Sequence, residues 1–352
     1  MAKIRVLIVD DSLLIRKILT EVLNSSPDIE VVGCAQDPLV ARDMIKQLNP
    51  DVLTLDIEMP HMDGITFLRN LMRLRPTPVV MISTLTEKGA EVTLEALTIG
   101  AVDFIAKPKV DVVNTLNEYA DEIITKVKMA ARANVKNIAN RALVHRSEAP
   151  APIQSSPVRK PAGRSNRIIA LGASTGGTEA IKTVAKDLPG DTPAILITQH
   201  LPAAFSESFV KHIDLITEMR ASIPRHGQIV EPGNIYLAPG DKHMLVIKDV
   251  NHYVIQLSDE QPVNRHKPAV DVLFHSVAQC AGANALAVLL TGMGADGAVG
   301  MKEMHDAGAK TIIQDEQSSV VWGMPGAAYK LGCADHIVSL EQVANKILAL
   351  AK

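Results

Sequence analysis

The chain has 352 residues, 47% hydrophobic and 21% charged, with a formal net charge of -3. That length exceeds one ordinary core and calls for two domains, while the composition excludes a disordered chain. The small net charge excludes a general pull toward nucleic acid or anionic membranes, and no apolar run reaches the roughly 18 residues of a membrane span.

From Lys3 to about Lys128, the apolar runs "IRVLIVD", "EVVGCAQ", "DVLTLDI", "PVVMIS" and "AVDFIAKP" alternate with segments of helical period. This alternation predicts a parallel, doubly wound α/β sheet covered on both faces. Residues 129–165 include "RSEAPAPIQSSPVRKPAGRS", too rich in Pro, Ser, Ala and Arg for a core, and are expected to link domains spanning 1–128 and 166–352. The start of that linker stays open, because "EYADEIITKVKMAARANVKNIANRALVHR" could continue the preceding helix. Beyond it, "RIIALGAS", "PAILITQH", "NALAVLLTG" and "KTIIQD" predict a second doubly wound α/β domain. Between Gly227 and Gln261, Pro-Gly turn signals and short alternating strands predict hairpins added to that sheet. Cys34, Cys280 and Cys333, odd in number and far apart, fit a reducing compartment better than a disulfide framework. The first strand begins almost at Met1 without a charged-then-apolar leader, which makes the cytoplasm the expected location.

Open α/β sheets bind ligands at the carboxyl ends of their strands. In the first domain the runs stop at Asp10 and Asp11, at Asp56, at Ser83, and at Lys107 before Pro108. Several carboxylates at one edge repel unless a hard cation sits among them, and oxygen-only ligands favour magnesium. A helix cap or solvated strand end explains any one of these acids, but not the set. The set resembles the receiver domain of bacterial two-component response regulators over residues 3 to about 125. The resemblance implies a flavodoxin-like fold in which Asp56 accepts a phosphoryl group from a histidine kinase. It further implies that Mg2+ is held by Asp10, Asp11, Asp56 and the backbone carbonyl of Glu58, with Ser83 and Lys107 contacting the aspartyl phosphate. Thr84 departs from the small residue that most receivers carry after the strand-four hydroxyl.

In the second domain "GASTG" at 172–176 satisfies G-x-S-x-G in a strand-turn-helix context, which lifts a serine hydroxyl above a sheet. A helix N-cap formed by Ser174 or Thr175, or an anion-binding helix start, fits the same residues. A nucleophile needs a base and a carboxylate behind it. His200 ends the next strand, and Asp296 in "MGADG" occupies another strand-to-helix turn on the same edge, where it could equally be a cap. Gly292, Gly294 and Gly297 also match G-x-G-x-x-G, with Asp315 ending the following strand, so a dinucleotide site is an alternative. His243, His266 and His275 end no evident core strand and are spare imidazoles.

Taken together, "GASTGGTEAI", "QHLP", "LAPGDKHM", "KPAVDVLFHSVA", "LLTGMGADGA" and "GMPGAA" resemble the chemotaxis protein-glutamate methylesterase/protein-glutamine glutaminase family over nearly the whole chain. The resemblance implies a Ser174, His200, Asp296 triad that needs no cofactor. Its substrates would be glutamate γ-methyl esters, and certain glutamines, on methyl-accepting chemotaxis receptors, with a chemotaxis histidine kinase as phosphodonor. Backbone amides near Thr175 and Met293 are expected to face the oxyanion, since glycine-rich turns at helix starts point amides outward. The resemblance also implies autoinhibition, in which the unphosphorylated receiver covers the triad and phosphorylation of Asp56 loosens the contact. A rival reading, an output domain that binds DNA, finds no helix-turn-helix signature or basic recognition face, so neither nucleic acid nor membrane insertion is expected.

Overall fold

A computed structural model describes residues 2–59, 62–84, 86–107, 116–133 and 166–351. The chain divides into two compact units, Met1–Ala149 and Pro150–Lys352. Apart from residues 129–133, the expected linker lies outside the described residues.

The first unit contains β1 (Ile4–Val9), β2 (Ile29–Ala35), β3 (Val52–Asp56), β4 (Val79–Ser83) and β5 (Asp103–Ala106). They form one sheet in the order β2-β1-β3-β4-β5, with every pair parallel. Strands β3 and β4 are buried along their whole length, as continuous apolar runs must be when helices cover both faces. Helices start where short polar side chains take up free amides: Ser12 accepts from Ile15 N, Asp37 from Leu39 N and Val40 N, and Asp63 from Thr66 N. The chain leaves β1 for β2 on one side and returns to β3 on the other. This reversal opens a crevice at the carboxyl ends of β1 and β3, where Asp10 and Asp56 lie.

The second unit contains β6 (Ile168–Ala173), β7 (Ala194–Gln199), β8 (Arg220–Ser222), β9 (Gln228–Ile229) and β10 (Asn234–Leu237). It continues with β11 (His243–Asp249), β12 (His252–Ser258), β13 (Ala285–Leu289), β14 (Lys310–Gln314) and β15 (His336–Val338). Seven of these form a parallel sheet in the order β15-β14-β13-β6-β7-β10-β8. The 227–261 region departs from the expectation that its hairpins extend this sheet. Only β10 joins it, in parallel, whereas β11, β12 and β9 make a separate antiparallel sheet. The reason is burial: Met244, Val246 and Ile255 enter the same apolar cluster as Val270, Leu273, Phe274 and Val277 of the helix Val270–Ala281. The hairpin therefore lays its apolar face on that helix, which satisfies it without an edge of the main sheet.

Candidate active site

At the first sheet edge, Asp10, Asp11 and Asp56 each offer a carboxylate oxygen, and these oxygens lie within 4.8 Å of one another. Lys107 Nζ is 2.7 Å from Asp56 Oδ2 and 3.6 Å from Asp10 Oδ2. Burial pushes Asp56 up to about 6, with the Asp10 charge acting the same way and Lys107 opposing. Burial likewise raises Asp10. Burial works against the charge on Lys107, and its carboxylate partners more than offset it, leaving it above the ordinary lysine value. Asp10 Oδ2 is buried without a hydrogen-bond partner among the described residues, so this acidic, all-oxygen donor set fits a hard divalent cation. Arg16, which the sequence reading did not single out, donates to the carbonyls of Asp10 and Asp11 and fixes this end of β1.

A cavity of about 620 Å³ adjoins Asp56 and is lined by Glu58, Thr84, Lys88 and Lys107, among others. Ser83 sits differently: its Oγ is 2.6 Å from Thr93 Oγ1 on the helix Glu87–Ile99. Thr84, the departure noted in the sequence, lines the cavity, as does Thr66, whereas Ser83 does not.

At the second sheet edge, β6 lies between β7 and β13, so three neighbouring strand ends present Ser174, His200 and Asp296. Ser174 follows β6 directly and is held by its backbone: its N–H donates to Thr291 O at 3.0 Å, and its carbonyl accepts from Gly177 N at 2.7 Å and Gln199 Nε2 at 2.9 Å. Gly176 closes the elbow at φ 76°, a left-handed conformation that suits glycine. The 291–294 turn abuts the elbow so closely that a Cβ on Gly292 would lie 2.8 Å from Ser174 Cβ and 2.3 Å from Met324 Sδ. Gly292→Ala is therefore expected to cost about 1–3 kcal/mol of stability. It should also slow turnover about 100-fold by displacing the nucleophile. Urea unfolding and esterase rates check the two effects separately.

His200 Nδ1 is 3.0 Å from Ser174 Oγ, and His200 Nε2 is 2.8 Å from Asp296 Oδ2. Asp296 accepts four hydrogen bonds: Oδ2 from His200 and from Val270 N at 2.7 Å, and Oδ1 from Asn264 Nδ2 at 2.9 Å and Asp271 N at 3.1 Å. Burial would raise its pKa, but the His200 hydrogen bond and charge, with Asn264 and Val270 N, hold it at about 2. An ionised Asp296 only accepts, so Nε2 carries the ring proton and Nδ1 offers its lone pair to the serine hydroxyl. The Nδ1 atom is thus the base, facing an alcohol at hydrogen-bond distance.

The cap readings divide cleanly. The helices Gly177–Lys186 and Ala298–Asp306 have no side-chain cap bond, so neither Ser174 nor Asp296 caps the helix that follows it. Asp296 instead bonds the first two amides of the helix Val270–Ala281, where the positive helix end favours a carboxylate. The G-x-G-x-x-G match is spent on turns, with Gly294 and Gly297 at φ 79° and 86°, and Asp315 accepts from Ser318 N. Of the spare imidazoles, His243 bonds Ala269 N and Gln261 O, and His275 bonds Glu303 and Gln279. His266 is brought to the site, its ring stacked on His200. Thr175 follows Ser174 on the elbow, and Met293 follows Gly292, the residue whose backbone abuts Ser174. Asn264, Gln199 and the Val270 amide carried no sequence signal as site residues, because each acts through a backbone or amide contact rather than through reactive chemistry.

A carboxylate-lysine edge on one α/β unit and a serine-histidine-aspartate edge on another define a response regulator with a hydrolytic output domain. Residues 6–118 match the family described as response regulator receiver domain, and residues 169–347 match the CheB methylesterase family. A protein-glutamate methylesterase/protein-glutamine glutaminase of Xanthomonas campestris pv. campestris is 56% identical over 99% of this chain and 97% of its own length. A relative of the same name from Hydrogenovibrio crunogenus is 53% identical over 100% of both chains. The crystal structure of the Thermotoga maritima CheB methylesterase catalytic domain aligns with a TM-score of 0.52 and 32% identity, covering 53% of this chain and 99% of that one. The chain belongs to the protein-glutamate methylesterase/protein-glutamine glutaminase family. Among the described residues, no helix is long and apolar enough to cross a membrane.

Proposed function

We propose that residues 166–352 form a serine esterase acting on glutamate γ-methyl esters, and on certain glutamines, of methyl-accepting chemotaxis receptors. Residues 1–128 would be its phosphorylated regulator and 129–165 the tether, the whole working in the cytoplasm in sensory adaptation. The observation that carries this reading is the single imidazole of His200 in contact with both Ser174 Oγ and Asp296 Oδ2.

Ser174 Oγ attacks the ester carbonyl carbon while His200 Nδ1 takes the hydroxyl proton. The tetrahedral oxyanion faces the amides of Thr175 and Met293. Collapse breaks the C–O bond, and Nδ1–H passes its proton to the methoxide, releasing methanol and leaving acyl-Ser174. Water, deprotonated by the same nitrogen, then frees the glutamate carboxylate. With glutamine the leaving group is ammonia, and the remaining steps are the same. The four donors on Asp296 keep the imidazolium paired without turning it.

In the receiver, Asp56 takes the phosphoryl group from the kinase's phosphohistidine, and Lys107 pairs with the charge that appears there. Asp10, Asp11, Asp56 and the Glu58 carbonyl would hold Mg2+, which neutralises the phosphoryl oxygens when bound. Ser83 contacts the aspartyl phosphate only after its hydroxyl leaves Thr93.

Methanol release from methyl-esterified receptor is the direct test. The full chain, supplied with Mg2+ and a phosphodonor, should release it, and a folded chain that releases none would refute the reading. Asp296, held at about 2, stays ionised through the working range, so it supplies no acid limb. Regulation is tested by comparing the full chain with residues 165–352. Without phosphodonor the full chain should be slower, and Asp56→Asn should abolish the stimulation that phosphodonor gives. Equal unstimulated rates would eliminate occlusion by the receiver.

A further inference from the structure

We infer that His266 is a positioning residue, fixing the plane of the His200 ring so that Nδ1 stays aimed at Ser174 Oγ. The two imidazoles are stacked with centroids 3.7 Å apart and planes 13° from parallel, too close for water to enter between them. His266 is not carried by a strand. It ends a four-residue turn in which Val263 and His266 exchange both backbone hydrogen bonds, N to O at 3.0 Å and 2.9 Å. The central residues Asn264 and Arg265 both have left-handed backbones, φ 53° and 68°, the geometry of a tight mirror-image turn. That turn does two things at once. It sends the Asn264 amide to Asp296 Oδ1 and Asp271 Oδ2, and it lays the His266 ring on the His200 face.

The physical need is specific. His200 is tethered at both ring nitrogens, but those contacts leave the ring free to rock about the line joining them. A flat surface against one face removes that motion and shields the imidazolium formed during the reaction. Water on that face would compete for both hydrogen bonds. His266 itself is half-buried. Only a flat ring is required by this role, not an acid or a base.

The inference rests on the triad reading above, and Ser174→Ala assayed alongside separates the two: a fast Ser174 variant refutes the triad, whatever His266 does. The test uses the full chain with methyl-esterified receptor, and kcat is expressed per folded molecule measured by circular dichroism. His266→Ala should lower kcat about 10- to 100-fold with KM within about twofold, because orientation in the transition state is lost and ground-state binding is not. His266→Phe, which restores a flat face without ring nitrogens, should recover kcat to within about threefold of the parent. Should the alanine variant not fold, His266→Gln takes its place, being polar but without a face. Parental kcat in the ring-less variant would overturn the inference. So would a rise in KM alone, which would make His266 a substrate contact, or equal loss in His266→Phe, which would mean that its nitrogens matter.

Discussion

Ser174→Ala should fold like the parent and lose methanol release by about 10⁴- to 10⁶-fold in kcat. Folding should survive because the hydroxyl contributes little to the scaffold: the elbow is held by the Ser174 backbone, through Thr291 O, Gly177 N and Gln199 Nε2. Among the described residues, Oγ meets His200 Nδ1, at 3.0 Å. Removing the nucleophile leaves a base with nothing to deprotonate but water, so what remains is the residual rate from substrate positioning and the oxyanion amides. The measurement is methanol by gas chromatography with the folded fraction followed by circular dichroism. Turnover at the parental rate would show that Ser174 is not the nucleophile.

Asp296→Asn should be nearly as damaging, about 10⁴-fold in kcat, for a reason visible in the four bonds that converge on the carboxylate. All four partners donate as the site stands, and an amide has one oxygen to offer them. If its NH2 faces His200, the ring must accept at Nε2, which moves the proton to Nδ1 and leaves no lone pair for Ser174. It would also set two N–H groups against each other at Val270 N. If the NH2 faces the other way, Asn264 must flip to meet it and gives up its bond to Asp271 Oδ2, while Asp271 N is left without an acceptor. The variant should therefore show a stability loss of about 1–3 kcal/mol beside its kinetic defect. Parental kcat in folded Asp296→Asn would remove the acid from the mechanism.

How much of this was legible in sequence depends on the kind of contact. The reactive residues were readable because α/β sheets put chemistry at the ends of apolar runs, and Asp10, Asp56, Lys107, Ser174 and His200 each stand where such a run stops. Asp296 was harder. It lies seven positions past the end of β13, inside a glycine turn that matched a nucleotide fingerprint equally well. What sequence could not show was how that turn is used, since its helix-capping bonds go to Val270 and Asp271 on a distant segment. In the 227–261 region the hairpin itself was legible and its placement was not: alternating strands announce a hairpin, but not which apolar surface will accept its buried face. Ser83 and Thr84 are adjacent and chemically alike, and only packing against Thr93 distinguishes the engaged hydroxyl from the one at the cavity. His266 looked idle because a stacking role depends on a turn of two left-handed residues that no periodicity predicts.

The central claim is that an ordinary alcohol becomes reactive because an imidazole and a buried acid are lined up behind it. Labelling of the full chain with a fluorophosphonate, mapped by peptide mass spectrometry, tests that most directly. A single adduct on Ser174 is expected in the parent, with labelling slowed at least about 100-fold in both His200→Ala and Asp296→Asn. An adduct on another residue, or undiminished labelling of Ser174 in either variant, would contradict it.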